Sequence, residues 1–250
     1  MHPVSVTHFL AMLPALILAG PVGAACQDPS GPRVDWTGCN RKLLMLGSDD
    51  LTEAVFSRAR LTSTNFKRAK LPRAKLDEAE ISFTRFEDAD LSGADLSRAI
   101  GWRTNFSRAQ LVGATFTGAD LGRATFVEAK GMSADFRKSE LSRADFSGAD
   151  LTGADFSKAE VARAVFTNAS LFGVRFSYSV LVRANLNGAA PAGADFTGAY
   201  LFLTQLKGAD LSHASGLTQE QLSLACGSSD TKLPAAILPP DTWPCAPDSE

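Results

Sequence analysis

The sequence predicts an all-β solenoid with four sides, and three observations predict it. From Leu51 to Leu211 every fifth residue is a centre, and 30 of these 33 centres are Leu, Phe, Ile or Val; the exceptions are Gly101, Gly131 and Pro191. Two residues before each centre stands a small residue, Ala in 25 of the 33 cases. Taken every twentieth residue, the centres sort into pure columns. One reads Phe66, Phe86, Phe106, Phe126, Phe146, Phe166, and the opposite one Phe116, Phe136, Phe156, Phe176, Phe196.

A period of five fits neither regular element. On a helix, five steps of ~100° would spiral the centres around the axis instead of lining one stripe. On a flat strand an odd period would send successive centres to opposite faces. Every centre stays inside only if the chain turns a corner once per unit and coils around its own core. A three-sided coil would mix Phe with Leu in every column, and a two-sided one leaves no room for the rings. The core is therefore expected from Phe106, Phe116, Phe126, Phe136, Phe146, Phe156 and Phe166 with Leu141, Leu151 and their like. Coils stacked at ~4.8 Å make a rod of roughly 40 Å, whose stability is a sum of neighbour terms.

Units such as Ala149-Asp150-Leu151-Thr152-Gly153 and Ala154-Asp155-Phe156-Ser157-Lys158 resemble the pentapeptide-repeat family over residues 51–211. The resemblance implies a right-handed quadrilateral β-helix. The flanks Val34-Asp35-Trp36-Thr37-Gly38-Cys39 and Leu217-Thr218-Gln219-Glu220-Gln221-Leu222 are similar to the ends of an exported bacterial subgroup, to which no activity is attached.

In chain order, residues 1–25 read as a secretory signal. The apolar run Phe9–Gly20 is too short to span a bilayer, and Val22-Gly23-Ala24 is an acceptable cleavage pattern. Residues 26–45 read as an irregular N-terminal cap, although Trp36 and Leu46 fall on centre positions. The repeat body occupies 46–216. In 217–250, Thr218 and Gln221 form a capping box for a short helix over about 219–225, Gly227 is its expected stop, and a Pro-rich tail follows. The four cysteines, Cys26, Cys39, Cys226 and Cys245, admit three pairings. Cys26–Cys39 with Cys226–Cys245 is favoured, because the repeat array separates the two pairs. A lipid anchor at Cys26 is the competing use of that residue, and it would leave an odd number of thiols.

No constellation for catalysis stands in this pattern. The one histidine outside the signal, His213, falls at a corner near the C-terminal cap. No metal-ligand cluster, phosphate loop or nucleophile motif is visible, so neither a cofactor nor enzyme activity is expected. Acidic residues before the centres read as a solvated face. On the surface, Arg103, Arg123, Arg143, Arg163 and Arg183 recur every twenty residues, beside an acidic column of Asp120, Glu140 and Glu160. This reads as a charge-balanced ladder or, alternatively, as a basic stripe for an anionic partner. Val180, Val182, Tyr200, Phe202 and Leu203 make an outward apolar group, to be covered by the Pro-rich tail or used as an interface. Trp102 and Met132, beside the glycine centres, are expected to mark departures from the regular square.

These features predict a non-catalytic interaction or structural scaffold, periplasmic or secreted, with a protein partner the sequence does not identify. A homodimer is compatible with them. Nucleic acid is not expected as a partner, and no segment would span a membrane once the signal is removed. The alternative is a DNA mimic that binds a type II topoisomerase, against which the Arg column and the net charge of −2 weigh.

Overall fold

The computed structural model describes residues 26–245; the expected signal, residues 1–25, lies outside them. Consecutive coils are joined by single-residue parallel bridges between residue n and residue n+20, from Asp35 with Val55 to Asp195 with Ser215. This twenty-residue register is the four-sided β-solenoid, a right-handed quadrilateral β-helix.

One unit shows why the pattern folds this way. In Leu141–Asp145 all five backbone N–H groups find acceptors. Leu141 donates to the Glu160 carbonyl (2.7 Å), Arg143 to Ala162 (2.9 Å), Ala144 back to Leu141 (2.9 Å) and Asp145 to Ala124 (3.0 Å). The fifth, Ser142 N–H, donates to the Glu140 carboxylate at 3.1 Å. The Ala144-to-Leu141 bond closes a β-turn whose third residue, Arg143, has φ +61°, as type II geometry demands. The same sign recurs at every fifth residue from Arg33 to Gly208, and 25 of these positions are not glycine. Glycine is thus not what makes the corners. The ladder bonds on either side hold ordinary L-residues in a region they otherwise avoid.

Centres and the small residues before them point inward and are buried. The Phe66–Phe166 column stacks with ring centroids 4.5–5.1 Å apart. The facing column, Phe116–Phe196, stacks at 4.7–5.4 Å. Rings of the two columns meet edge to face at 5.6–5.9 Å. Each ring from Phe106 to Phe176 therefore has offset-stacked and T-shaped partners at once, both favoured by the aromatic quadrupole. Leu141 and Leu151 fill the alternate sides.

The glycine centres do not distort the square. At Gly101 an added Cβ would lie 2.6 Å from Leu121 Cδ2 and 3.0 Å from Ile81 Cγ1, so neighbouring coils already fill the space. Trp102 and Met132 stay outside. The expected departure from the square does not occur, because neighbouring coils leave no vacancy at the glycine centres.

The segment 26–45 is less irregular than expected. Five-residue geometry begins at Gly31, with Trp36 buried at a centre. Arg41 occupies the next centre, and its guanidinium lies 4.2 Å from the Trp36 ring centroid. The Asp28 carbonyl accepts from both Trp36 Nε1 (3.3 Å) and Arg41 Nη2 (2.8 Å). Cys26 is bonded to Cys39 with Cα atoms 5.5 Å apart. A short strap thus closes the N-terminal end of the core.

At the other end, α1 spans Gln219–Ser223, two residues shorter than expected, with the Thr218/Gln221 capping box formed. Gln221 Nε2 reaches the carbonyls of Phe196 (3.0 Å) and Ala199 (2.8 Å), which fixes the helix on the last coil. The chain then re-enters the ladder: Cys226 pairs with Gln205 and Lys232 with Asp210, offsets of 21 and 22 residues. Gly227 does not end the helix, which stops at Leu224. An added Cβ there would run into the Trp243 ring. Trp243 donates from Nε1 to the Ala225 carbonyl (2.7 Å), beside the Cys226–Cys245 disulfide.

Candidate functional site

With the interior filled by side chains, whatever this molecule recognises must be recognised outside. Two outward positions alternate along the chain: the bridge residue at the middle of each side, and the turn pair at each corner.

At the bridge position, Asp and Asn are turn acceptors. Asp95 takes the Ser97 N–H at 2.9 Å, Asn105 that of Ser107 at 2.9 Å and Asp145 that of Ser147 at 2.9 Å. This corrects the expectation of a merely solvated acidic face: these groups satisfy the one N–H per unit that the ladder leaves over.

The corners differ from one another. On three of them cations alternate with acids of neighbouring coils or with small residues, apart from the successive Lys138 and Lys158. Glu53 binds Arg73 (2.6 Å) and Arg33 (3.2 Å), Glu78 binds Arg98 (2.6 Å) and Asp88 binds Arg108 (2.7 Å). The fourth corner carries Arg103, Arg123, Arg143, Arg163 and Arg183 in succession, all exposed. None of the five forms an ion pair among the described residues. The expected charge-balanced ladder is therefore not made. Asp120 instead turns to Gly122 N–H (3.4 Å), and Glu140 to the N–H and hydroxyl of Ser142. Glu160 has no ion pair either. Two of the arginines lean on one ring: Arg103 lies 4.3 Å and Arg123 5.8 Å from the Trp102 centroid.

Exposed apolar side chains bracket this row. At its N-terminal end Phe83 packs edge-on against Trp102 at 5.4 Å, with Ile100 alongside. At the other end Tyr200 and Phe202 stack at 6.3 Å and are 48% and 39% exposed; Val180, Val182 and Leu203 beside them are half-buried. The Pro-rich tail does not cover Tyr200 and Phe202. It folds over the end of the rod, where Ile237 and Trp243 pack against the core, because Cys245 and the Trp243 hydrogen bond hold it there.

A shallow groove elsewhere is lined by Asp135, Arg137, Asp155 and Arg175. Its charges are mutually satisfied: Arg137 grips Asp135 (2.6 Å) and Arg175 grips Asp155 (2.7 Å). Burial pushes the Asp155 carboxyl up, but its bonds to Arg175 and Ser157 outweigh this and hold it below the ordinary value. His213 is exposed, with its Nδ1 3.0 Å from the Ser212 hydroxyl. Among the described residues no group of His, Cys, Asp and Glu is placed to hold a metal, and no helix is long and apolar enough to cross a membrane.

The class of molecule is thus a rigid solenoid with its distinguishing chemistry along one corner. Family models agree: a pentapeptide repeat region matches residues 99–176, and eight-copy pentapeptide repeats match 50–77 and 179–215. The chain belongs to the pentapeptide-repeat family. Among solved structures it is similar to HetL, a pentapeptide repeat protein involved in heterocyst differentiation regulation in Nostoc sp. strain PCC 7120. That match has 27% identity over 81% of this chain and 92% of that one, with TM-score 0.35. It is also similar to a pentapeptide repeat protein of the Arabidopsis thaliana thylakoid lumen (31%, 47% and 78%, TM-score 0.35). A third is QnrB1, a plasmid-mediated fluoroquinolone resistance protein (20%, 73% and 91%, TM-score 0.39). No curated protein matches the sequence.

Proposed function

We propose that this protein is an exported, non-catalytic scaffold that presents one rigid corner of its solenoid to a protein partner, in the bacterial envelope or outside the cell. The observation that carries the reading is the row of five unpaired arginines bracketed by exposed aromatic residues. Arg, Tyr and Trp are the residue types enriched where protein surfaces bind tightly. A rod fixed by ladder bonds and stacked rings offers them with little ordering cost. Export is supported by the signal-like N-terminal sequence and by two disulfides, which persist in oxidising compartments. A DNA mimic would need an acidic surface where this corner is basic.

Two measurements test the reading. Cell fractionation should find the protein outside the cytoplasm, shortened at its N-terminus. Cross-linking in the native envelope, followed by pull-down, should recover a partner with the wild-type protein and lose it with Arg143→Glu/Arg163→Glu. Full-length protein in the cytoplasm, or unchanged recovery with the double variant, would remove the proposal.

A further inference from the structure

Three columns along the arginine corner share one centre of symmetry. The side-middle column reads Ile100, Asp120, Glu140, Glu160, Val180. The first turn column reads Trp102, Gly122, Ser142, Ala162, Val182, and the second reads Phe83, then the five arginines, then Leu203. Each runs from apolar through charged or small to apolar, and each is centred on the coil of Glu140, Ser142 and Arg143. No feature of the fold demands this. The core columns beneath change composition without regard to that coil, and the other three corners show no such pattern.

A surface that repeats itself when turned end over end is what a two-fold symmetric contact requires. We infer that this corner is a self-complementary interface and that its occupant is a second, antiparallel copy of the chain. The inference rests on the reading of this corner as an interaction surface and names the partner. With the two-fold axis through Ser142, the acidic column of each copy lies over the arginine column of the other. Arg123 meets Glu160, Arg143 meets Glu140 and Arg163 meets Asp120, and each pair occurs twice. These charges form no ion pair within their own chain. Gly122, Ser142 and Ala162 lie along the crossing line, where short side chains let two rods approach. At the ends Trp102 meets Val182 and Phe83 meets Tyr200, which covers ring surface now exposed to water.

The strip is about 29 Å long, six coil steps at the strand spacing, and only one corner wide. That places it at the small end of specific interfaces, so the dimer is weak and forms in the micromolar range. Its ion pairs make it weaken with salt.

Sedimentation equilibrium of the purified protein tests this, from low-micromolar to sub-millimolar concentration and at low and high salt. The variants are Arg123→Glu/Arg163→Glu and Asp120→Arg/Glu160→Arg. Both sets are exposed and both replacements are conformationally acceptable: Glu already occupies the positive-φ corner at Glu53, Glu78 and Glu128, and Arg occupies the side-middle position at Arg60 and Arg85. The wild-type protein should dimerise reversibly and less well in high salt. Each variant alone should dimerise at least about tenfold more weakly, and an equimolar mixture of the two should regain a heterodimer, because the acids introduced at 123 and 163 then face the arginines introduced at 160 and 120. A wild-type protein that stays monomeric up to sub-millimolar concentration, variants that dimerise like wild type, or a mixture that fails to recover would each overturn the inference. A monomeric wild-type protein whose pull-down still recovers another protein through this corner would overturn the inference and leave the scaffold reading standing.

Discussion

Asp95 accepts both the N–H of Ser97 (2.9 Å) and its hydroxyl (2.5 Å). Asp95→Ala should therefore cost about 1 kcal/mol, the scale of losing a side-chain cap from a backbone donor. Asp95→Asn keeps the acceptor, as Asn105 does naturally, and should stay within a few tenths of wild type on the same scale. Urea unfolding midpoints of the two variants check this; equal losses would deny the role. The carboxylates of Asp135, Asp155, Asp195 and Asp210 are all held below their ordinary value of 3.8 in the folded state, Asp210 at about 2 through Ser212 and Lys232. Groups depressed on folding contribute stability above the unfolded value, and it is lost as pH falls through the folded values. The melting temperature should accordingly hold from neutral pH down to about 5 and drop below about 4. The role of these acids was hidden in the sequence. An acid that caps a turn and an acid that meets only water occupy the same outward position, and periodicity does not separate them.

Phe146 stacks on Phe126 at 4.5 Å and on Phe166 at 5.0 Å, and meets Phe136 and Phe156 edge-on. Phe146→Ala should destabilise by ~3–5 kcal/mol, since the ladder bonds on both sides prevent the coil from collapsing into the cavity. Calorimetric unfolding is the measurement, and a loss below about 1.5 kcal/mol, the cost of a mere volume-conserving swap, would mean the stack is not tightly packed. At the C-terminal cap, replacing Cys226 and Cys245 together by Ser should cost on the order of 3 kcal/mol in the chain-entropy account. It should also release Trp243 from Gly227, read as a red shift in tryptophan emission with the rod's circular dichroism retained. The elements were legible wherever the twenty-residue period held. They were not legible where it slipped: the first coil hides behind Gly31 and Arg41 at centre positions, and the last behind offsets of 21 and 22. The helix was signalled by Thr218 and Gln221, but its end was not, because Gly227 serves the Trp243 ring and not the helix terminus.

For the whole molecule, the rule that matters is that residue n sits on residue n+20. Deleting residues 126–145 removes one coil and rejoins every column in register, so the product should fold cooperatively and be shorter by about 4.8 Å. Deleting 18 residues from the same place would bring polar side chains inward and should abolish cooperative unfolding. Thermal melts followed by circular dichroism compare the two; equal cooperativity would mean the register is not what holds the rod together. The arginine row itself was visible in the sequence as a spacing. That its charges are unmatched within the chain was not, because pairing depends on where short acidic side chains are drawn, and here they are drawn to their own turns. The square cross-section also gives the molecule a rotary character. Inserting a single five-residue unit leaves centres inside and turns inside corners, yet swings everything downstream through a right angle. Inserted between Arg143 and Arg163, it would move Arg163 and Arg183 to a neighbouring edge. Gains and losses of one unit act like shifting one wheel of a combination lock, so a lineage could rewrite which side chains share an edge while its interior hardly changes.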